Sequence, residues 1–230
     1  MNTYVENIIP RTTLGENRFG EDPNRSSIMA ISQDRPGTVA EKKYITIHNT
    51  GNYDVGGYAI NHAVLKLRNN ENWTSWHFTV DKNSIYQHIP TDEIAWHASD
   101  GAEGPGNVNS IGIEICVNGF PQGAGGEEAQ SNYYGAKYEA WEKQFYLTIE
   151  NAAQLVAQLL VEHDLTMDCI RQHYDFARDQ KNCPMQMRYS YETKTFVREG
   201  HYWKEFMTLV EIRYNRLLAT GDKFDTVNVD

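Results

Sequence analysis

Two stretches decide the fold that the sequence predicts: KYITIHN at residues 43–49 and SIGIEICV at residues 110–117. Both alternate with a period of two, which is typical of β-strands. In each strand the isoleucines share one face, while His48 in the first strand and Glu114 in the second lie on the opposite face. If the two isoleucine faces cover one core layer, His48 and Glu114 emerge on the same side of the sheet. Burying a glutamate in an otherwise apolar strand costs free energy unless the carboxylate is paired or has a functional role. The alternative is an edge strand whose glutamate faces solvent.

Outward from these strands, the chain alternates between strand-like and helix-like segments. Such interleaving predicts an α/β domain in which helices cover a sheet. Further strands are expected at 74–80, 84–89 and 168–172, with a hairpin turn at 81–83; helices at 54–67, 137–163 and 201–219; and loops at 100–107 and 119–133.

Composition limits the possible partners. The chain has 230 residues and a formal net charge of −10, and because phosphate binding needs a surplus of Lys and Arg, no nucleic-acid partner is expected. No run approaches the roughly 18 consecutive apolar residues of a transmembrane helix, so no membrane span is predicted. The first residues, MNTYVE, contain neither a basic nor an apolar region. We therefore expect no signal peptide and synthesis in the cytoplasm.

A second group of side chains could bind a metal ion. His173 lies in RQHYDF, and Cys183 lies in KNCP, ten residues after that histidine. A histidine and a cysteine at the ends of one loop can converge on one ion, and His48 could complete a His/His/Cys set. Such a set leaves a fourth position open, as in catalytic zinc sites, where the pKa of a bound water falls to about 7. By spacing alone, this ligand set is one of many possible combinations of histidines and cysteines. The alternative is that the cysteines pack in the core.

The ordered motifs of the chain resemble a known family. They are YITIHNT (44–50), SWHFTVD (75–81), AWHASDG (95–101), NSIGIEIC (109–116), RQHYDF (171–176) and KNCP (181–184). Together they resemble the type-2 family of N-acetylmuramoyl-L-alanine amidases, which includes phage endolysins and bacterial autolysins and is related to peptidoglycan-recognition proteins. The resemblance covers about residues 42–188 and implies a central mixed β-sheet flanked by helices.

The resemblance also implies an activity and a set of roles. One zinc ion would be bound by His48, His173 and Cys183, and Glu114 would take the place of the catalytic glutamate. Lys181 matches a lysine that stabilises the transition state in many members. The implied substrate is bacterial peptidoglycan, cleaved between N-acetylmuramic acid and L-alanine, which causes lysis of the cell wall.

Four aromatic side chains in the motifs are expected to line the substrate cleft: His77, His97, Trp76 and Trp96. Packing histidines and core tryptophans are the alternatives. Trp76 stands where some relatives have a catalytic tyrosine, so no tyrosine role is carried over. Cys169, four residues before His173, is a second and weaker candidate ligand.

Composition and the extent of the resemblance together suggest a division of the chain. Residues 1–41 would form an arm that packs on the domain, residues 42–220 the zinc amidase catalytic domain, and residues 221–230 a tail. We expect a monomer whose wall-binding domain is separate or missing. We expect the protein to reach the cell wall either by release, with the help of a holin if it belongs to a phage, or by secretion. Two alternatives are an inactive binding module and a cysteine hydrolase that uses Cys183. The complete ligand set argues against the first, and Pro184 directly after the cysteine argues against the second.

Overall fold

The structure is a computed structural model, and it describes residues 32–53, 56–59, 61–62, 73–120, 136–178 and 180–221. The strands in this part of the chain are β1 (Tyr44–Asn49), β2 (Phe78–Val80), β3 (Ile85–Gln87), β4 (Ser110–Ile115), β5 (Ile170–Gln172), β6 (Tyr189–Ser190) and β7 (Thr195–Phe196). The α-helices are α1 (Pro105–Val108), α2 (Ala136–Glu162), α3 (His173–Phe176) and α4 (His201–Thr220), and short 3₁₀ turns lie at Met167–Cys169 and Met185–Arg188.

The main sheet has five strands in the order β3-β2-β4-β1-β5. Strands β2, β4, β1 and β5 are parallel, and β3 pairs with β2 in the antiparallel direction. The predicted central mixed sheet flanked by helices is therefore confirmed. In the register of β1 and β4, His48 lies directly opposite Glu114.

The isoleucine faces of β1 and β4 form the centre of the core. All five isoleucines of these two faces have no exposed surface, and α2 packs over them with α4 against α2. Full burial of one such side chain contributes about 1.5–3 kcal/mol. A slip of one residue in the strand register would turn this face toward solvent. Packing of the isoleucines therefore fixes His48 and Glu114 on the other side of the sheet.

The loop predicted at 100–107 contains a helical turn, α1. Pro105 occupies the first turn, where its fixed φ favours a helix and its missing N–H costs nothing. The Asp100 carboxylate accepts hydrogen bonds from the backbone N–H groups of Gly106 at 2.6 Å and Asn107 at 3.2 Å. Asp100 thus caps the helix from outside it. The glycine-rich composition of this segment favours a loop, which is why the sequence did not predict the helix.

Other boundaries differ from the sequence prediction in detail. The strand expected at 74–80 begins only at Phe78, and the one expected at 168–172 begins at Ile170 after a 3₁₀ turn. The hairpin β6–β7 was not predicted. Most of the helix expected at 54–67 and of the loop expected at 119–133 lies outside the described residues, as do residues 1–31 and 222–230. No helix in the described ranges has the length and apolarity to cross a membrane.

Candidate active site

The predicted metal ligands and Glu114 meet at the carboxyl ends of three neighbouring parallel strands. His48 is the second-last residue of β1, Glu114 is the second-last residue of β4, and His173 begins α3 directly after β5. A hydrogen bond of 2.9 Å from the Tyr174 N–H to the Cys183 carbonyl brings the cysteine back to the start of α3. Parallel pairing thus assembles side chains that are far apart in sequence.

The two histidines and the cysteine form a compact donor group. The Nδ1 atoms of His48 and His173 are 3.0 Å apart, and one ligand atom from each of His48, His173 and Cys183 lies within 4.8 Å of the others. The backbone N–H of Asn49 donates to Cys183 Sγ at 3.2 Å. This N–H stabilises negative charge on the sulfur, as a thiolate ligand requires.

The charge states of these groups suit a cation. Burial lowers the pKa of His48 well below its usual value, and the neighbouring His173, His97 and Lys181 lower it further. Burial and then the Lys181 charge lower the pKa of His173 to about 4. Both imidazoles are therefore neutral near pH 7, with ring nitrogens that face each other. Burial and the Glu114 charge raise the pKa of the Cys183 thiol, so a nearby cation is needed to form the thiolate. Two neutral imidazoles and one thiolate are a donor set that fits zinc.

Glu114 and Lys181 line the same cleft as the donor group. This cleft has a volume of about 610 Å³. Glu114 Oε1 lies 4.0 Å from His48 Nδ1, and the Glu114 side chain keeps 16% of its surface exposed. The carboxylate is therefore close to the donor group and still accessible from the cleft. Lys181 is exposed and acts electrostatically on His48, His173 and Cys183.

His97 contacts His48 on the side away from the donor group. His97 Nδ1 lies 3.1 Å from His48 Nε2, and burial lowers the pKa of His97 to about 3, so the ring is neutral. The His97 ring packs against Gly112, where an added Cβ would come within 2.7 Å of it. His97 lines the cleft, as expected, but its ring also contacts a candidate metal ligand, His48.

The remaining predicted cleft residues divide into two groups. Trp76 and Trp96 line the cleft, although Trp76 is largely buried and donates through Nε1 to Thr79 Oγ1 at 2.7 Å. His77 does not fit a substrate-binding role: it is fully buried and is not among the described residues of the cleft wall. Its Nδ1 accepts from the Gly112 N–H and its Nε2 donates to the Glu93 carbonyl, both at 2.9 Å. It is a packing histidine that links two backbone segments.

Cys169 is not part of the donor group. It lies in the 3₁₀ turn before β5, whereas His173 follows the end of that strand. Cys169 therefore sits at the amino end of the strand, away from the cleft, and is partly exposed. The helix-like spacing of Cys169 and His173 has no counterpart in the structure because a strand separates them.

The fold and the side-chain set together define an α/β domain with a candidate metal centre at the carboxyl ends of its parallel strands. The family of N-acetylmuramoyl-L-alanine amidases named Amidase_2 matches residues 38–186. The chain belongs to this family, which confirms the resemblance seen in the motifs.

Curated relatives and solved structures agree with this assignment. The chain is 38% identical over 156 residues to the N-acetylmuramoyl-L-alanine amidase XlyA of Bacillus subtilis (strain 168), with 68% of this chain and 44% of XlyA covered. It is 36% identical over 164 residues to CwlH, an N-acetylmuramoyl-L-alanine amidase of the same strain, with 71% of this chain and 56% of CwlH covered. The solved catalytic domain of XlyA superposes with a TM-score of 0.58 at 34% identity, covering 80% of this chain and 97% of that domain. The chain thus spans about half the length of the curated relatives that it matches.

Proposed function

We propose that this chain hydrolyses the amide bond between N-acetylmuramic acid and L-alanine in bacterial peptidoglycan, with one zinc ion held by His48, His173 and Cys183. The observation that carries the proposal is the convergence of these three donors within 4.8 Å, in a cleft that also contains Glu114. Membership of the amidase family supports this choice of bond. The names of XlyA and CwlH, both N-acetylmuramoyl-L-alanine amidases, support the same activity.

The chemistry can be divided among the residues of the cleft. Zinc, when bound, lowers the pKa of water and polarises the substrate carbonyl. The Glu114 carboxylate accepts the proton of the attacking water and later delivers it to the departing amine of L-alanine. The Lys181 ammonium group stabilises the negative charge that develops on the carbonyl oxygen. His48, His173 and Cys183 take no proton from the substrate and serve to hold the ion.

Digestion of purified sacculi tests the bond that is cleaved. We expect release of stem peptides with new free L-alanine amino termini and no new reducing sugar ends, because the described cleft walls carry Glu114 as their single carboxylate and a glycosidase needs two. Mass spectrometry and amino-terminal labelling distinguish the two products. Cut glycan strands, or cleavage inside the stem peptide, would refute the proposed activity whether or not zinc is bound.

Replacing Lys181 by Ala should slow turnover about 100-fold, at the low end of the loss expected for one charge-stabilising group, because the metal remains. The measurement is the rate of sacculus digestion by zinc-loaded protein. Lys204→Ala, an exposed lysine of α4, is the matched control and should leave the rate unchanged. A larger loss for Lys181→Ala than for removal of the Glu114 carboxylate would mean that the two roles are misassigned.

Replacing His97 by Ala should weaken zinc binding about 10- to 100-fold, as expected when a partner that orients a metal ligand is lost. If His48 binds through Nδ1, its proton lies on Nε2 and is donated to His97 Nδ1. His97, whose ring is neutral because burial lowers its pKa to about 3, then carries its own proton on Nε2. Competition with a chelator of known affinity measures the change, with His163→Ala as the control. Unchanged affinity would favour a role for His97 in substrate contact alone.

A further inference from the structure

Trp73 combines two unfavourable features at the rim of the cleft. Its side chain is 62% exposed, and its backbone has a φ of 53°, in the left-handed region that favours glycine. Tryptophan is enriched at binding interfaces, where part of the ring is apolar and part meets water. Backbone strain likewise clusters at sites of function. Because Trp73 lines the same cleft as the donor group, both features point to a ligand.

Trp73 is one half of an aromatic pair. The centroids of Trp73 and Trp96 are 6.1 Å apart, with an angle of 52° between the ring planes. Two hydrogen bonds of 3.0 Å connect the backbone beside them, from the Trp96 N–H to Ser75 Oγ and from the Ser75 N–H to the Trp96 carbonyl. The two rings therefore lie side by side on one wall, with their backbones fixed relative to each other.

A segment ahead of the region matched by the amidase family holds this wall in place. Trp96 Nε1 donates to the Gln33 carbonyl at 2.9 Å, and the Asp34 carboxylate accepts from the Thr74 N–H at 3.3 Å. Arg35 then anchors the segment through two hydrogen bonds to the Glu93 carboxylate, at 2.8 and 2.6 Å. These contacts come from residues 33–35, ahead of the family match, which begins at residue 38. Such preorganisation lowers the entropy lost on binding.

The chemistry of the wall favours a neutral sugar. The described cleft residues near the pair in sequence, Thr74, Trp76 and Ser99, carry no formal charge. The C–H bonds of a pyranose ring carry partial positive charge and pack well on the negative face of an indole. We propose that Trp73 and Trp96 form a saccharide-binding platform that holds the glycan strand of peptidoglycan beside the scissile amide. This proposal rests on the proposed function, and it names the residues that hold the sugar side of that substrate.

Binding of a sugar without a stem peptide tests the platform separately from hydrolysis. The probe is the tetrasaccharide of β-1,4-linked N-acetylglucosamine, titrated calorimetrically into the full chain. We expect saturable binding that Trp73→Ala weakens by about tenfold, the loss typical of one stacked ring. Ile212→Ala is the matched control, because Ile212 is 61% exposed and lies on α4, outside the cleft. Equal affinity of Trp73→Ala and the unmodified chain, or no saturable binding, would overturn the platform.

Two further measurements separate binding from structure. Trp73→Gly should bind the tetrasaccharide as weakly as Trp73→Ala but should not lower the Tm, because glycine adopts a positive φ without strain. A lower Tm for Trp73→Gly would indicate a packing role and overturn the proposal. The proposal would also be overturned if binding of a stem peptide depended on Trp73 while binding of the sugar did not. If the sugar results are as expected but sacculi release no L-alanine termini, the platform stands and the proposed amidase activity fails.

Discussion

Glu114→Gln should reduce turnover of peptidoglycan about 10²- to 10⁴-fold and leave zinc in place, the usual effect of removing a general acid–base group. Glutamine keeps the size of the side chain and can still form hydrogen bonds, but it cannot accept and return a proton. Glu114 is outside the group of three donors that lie within 4.8 Å of one another. The metal content of the variant should therefore equal that of the unmodified protein.

The position of Glu114 explains why a large effect is expected from so small a change. The residue faces the cleft from β4, directly across the strand pair from His48, and its carboxylate lies 4.0 Å from the His48 ring. A water between the candidate metal site and the Glu114 carboxylate could transfer its proton directly to that carboxylate. The isoleucines on either side of Glu114 are fully buried on the opposite face, so the backbone cannot turn the carboxylate away without exposing the core.

The test needs both a rate and a metal measurement. The rate of sacculus digestion gives the first, and elemental analysis of the purified variant gives the second. Glu199→Gln is a suitable control because Glu199 has an exposed side chain outside the cleft, and its replacement removes the same charge. Near-normal digestion by zinc-loaded Glu114→Gln would rule out the proposed role, whereas loss of zinc would mean that Glu114 holds the ion.

The strands that carry the site were predictable because pleating imposes a strict alternation. Ile45 and Ile47 identify the buried face of β1 without any tertiary information, and His48 then falls on the other face. The same rule places Glu114. What the alternation could not give is which strands are neighbours. The prediction from sequence required only that the isoleucine faces of both strands cover one core layer; the structure confirms this and makes β1 and β4 direct neighbours.

Contacts between irregular segments were harder to predict from the sequence. The edge-on contact of His97 with His48 joins a loop to a strand, and no periodicity connects the two residues. One signal was present: Gly112 interrupts the apolar strand, and a glycine inside a strand often marks the close approach of another group. That group is the His97 ring. The support of Trp96 by Gln33 had no such signal, since both partners lie in stretches without regular structure.

Cys183→Ser should weaken zinc binding more than about 100-fold and abolish hydrolysis at low micromolar zinc. Loss of a residue that merely orients a ligand costs about 10- to 100-fold in affinity, so loss of the thiolate itself should cost more. The hydroxyl of serine does not ionise near neutral pH and is a poor ligand for zinc. Competition titration with a chelator, followed by activity assays over a range of zinc concentrations, measures both effects.

Thermal unfolding gives a second readout that does not depend on activity. A ligand that binds only the folded state stabilises it by RT ln(1 + [L]/Kd), which is about 2.7 kcal/mol at 100 times Kd. Zinc should therefore raise the Tm of the unmodified chain, and the rise should largely disappear in Cys183→Ser at the same zinc concentration. Cys169→Ser is the matched control, because Cys169 is partly exposed at the amino end of β5. Its zinc affinity should be that of the unmodified chain.

The same variants distinguish a metal ligand from a nucleophile. A cysteine hydrolase would need a Cys183 thiol with a lowered pKa, whereas burial and the Glu114 charge raise that pKa in the present site. With a cation beside it, the sulfur becomes a thiolate ligand, and the Asn49 N–H at 3.2 Å already points toward it. If hydrolysis survived a chelator but was lost in Cys183→Ser, the cysteine would be the nucleophile and the zinc site would be wrong. If chelation abolished hydrolysis and added zinc restored it in the unmodified chain but not in Cys183→Ser, the sulfur would hold the metal.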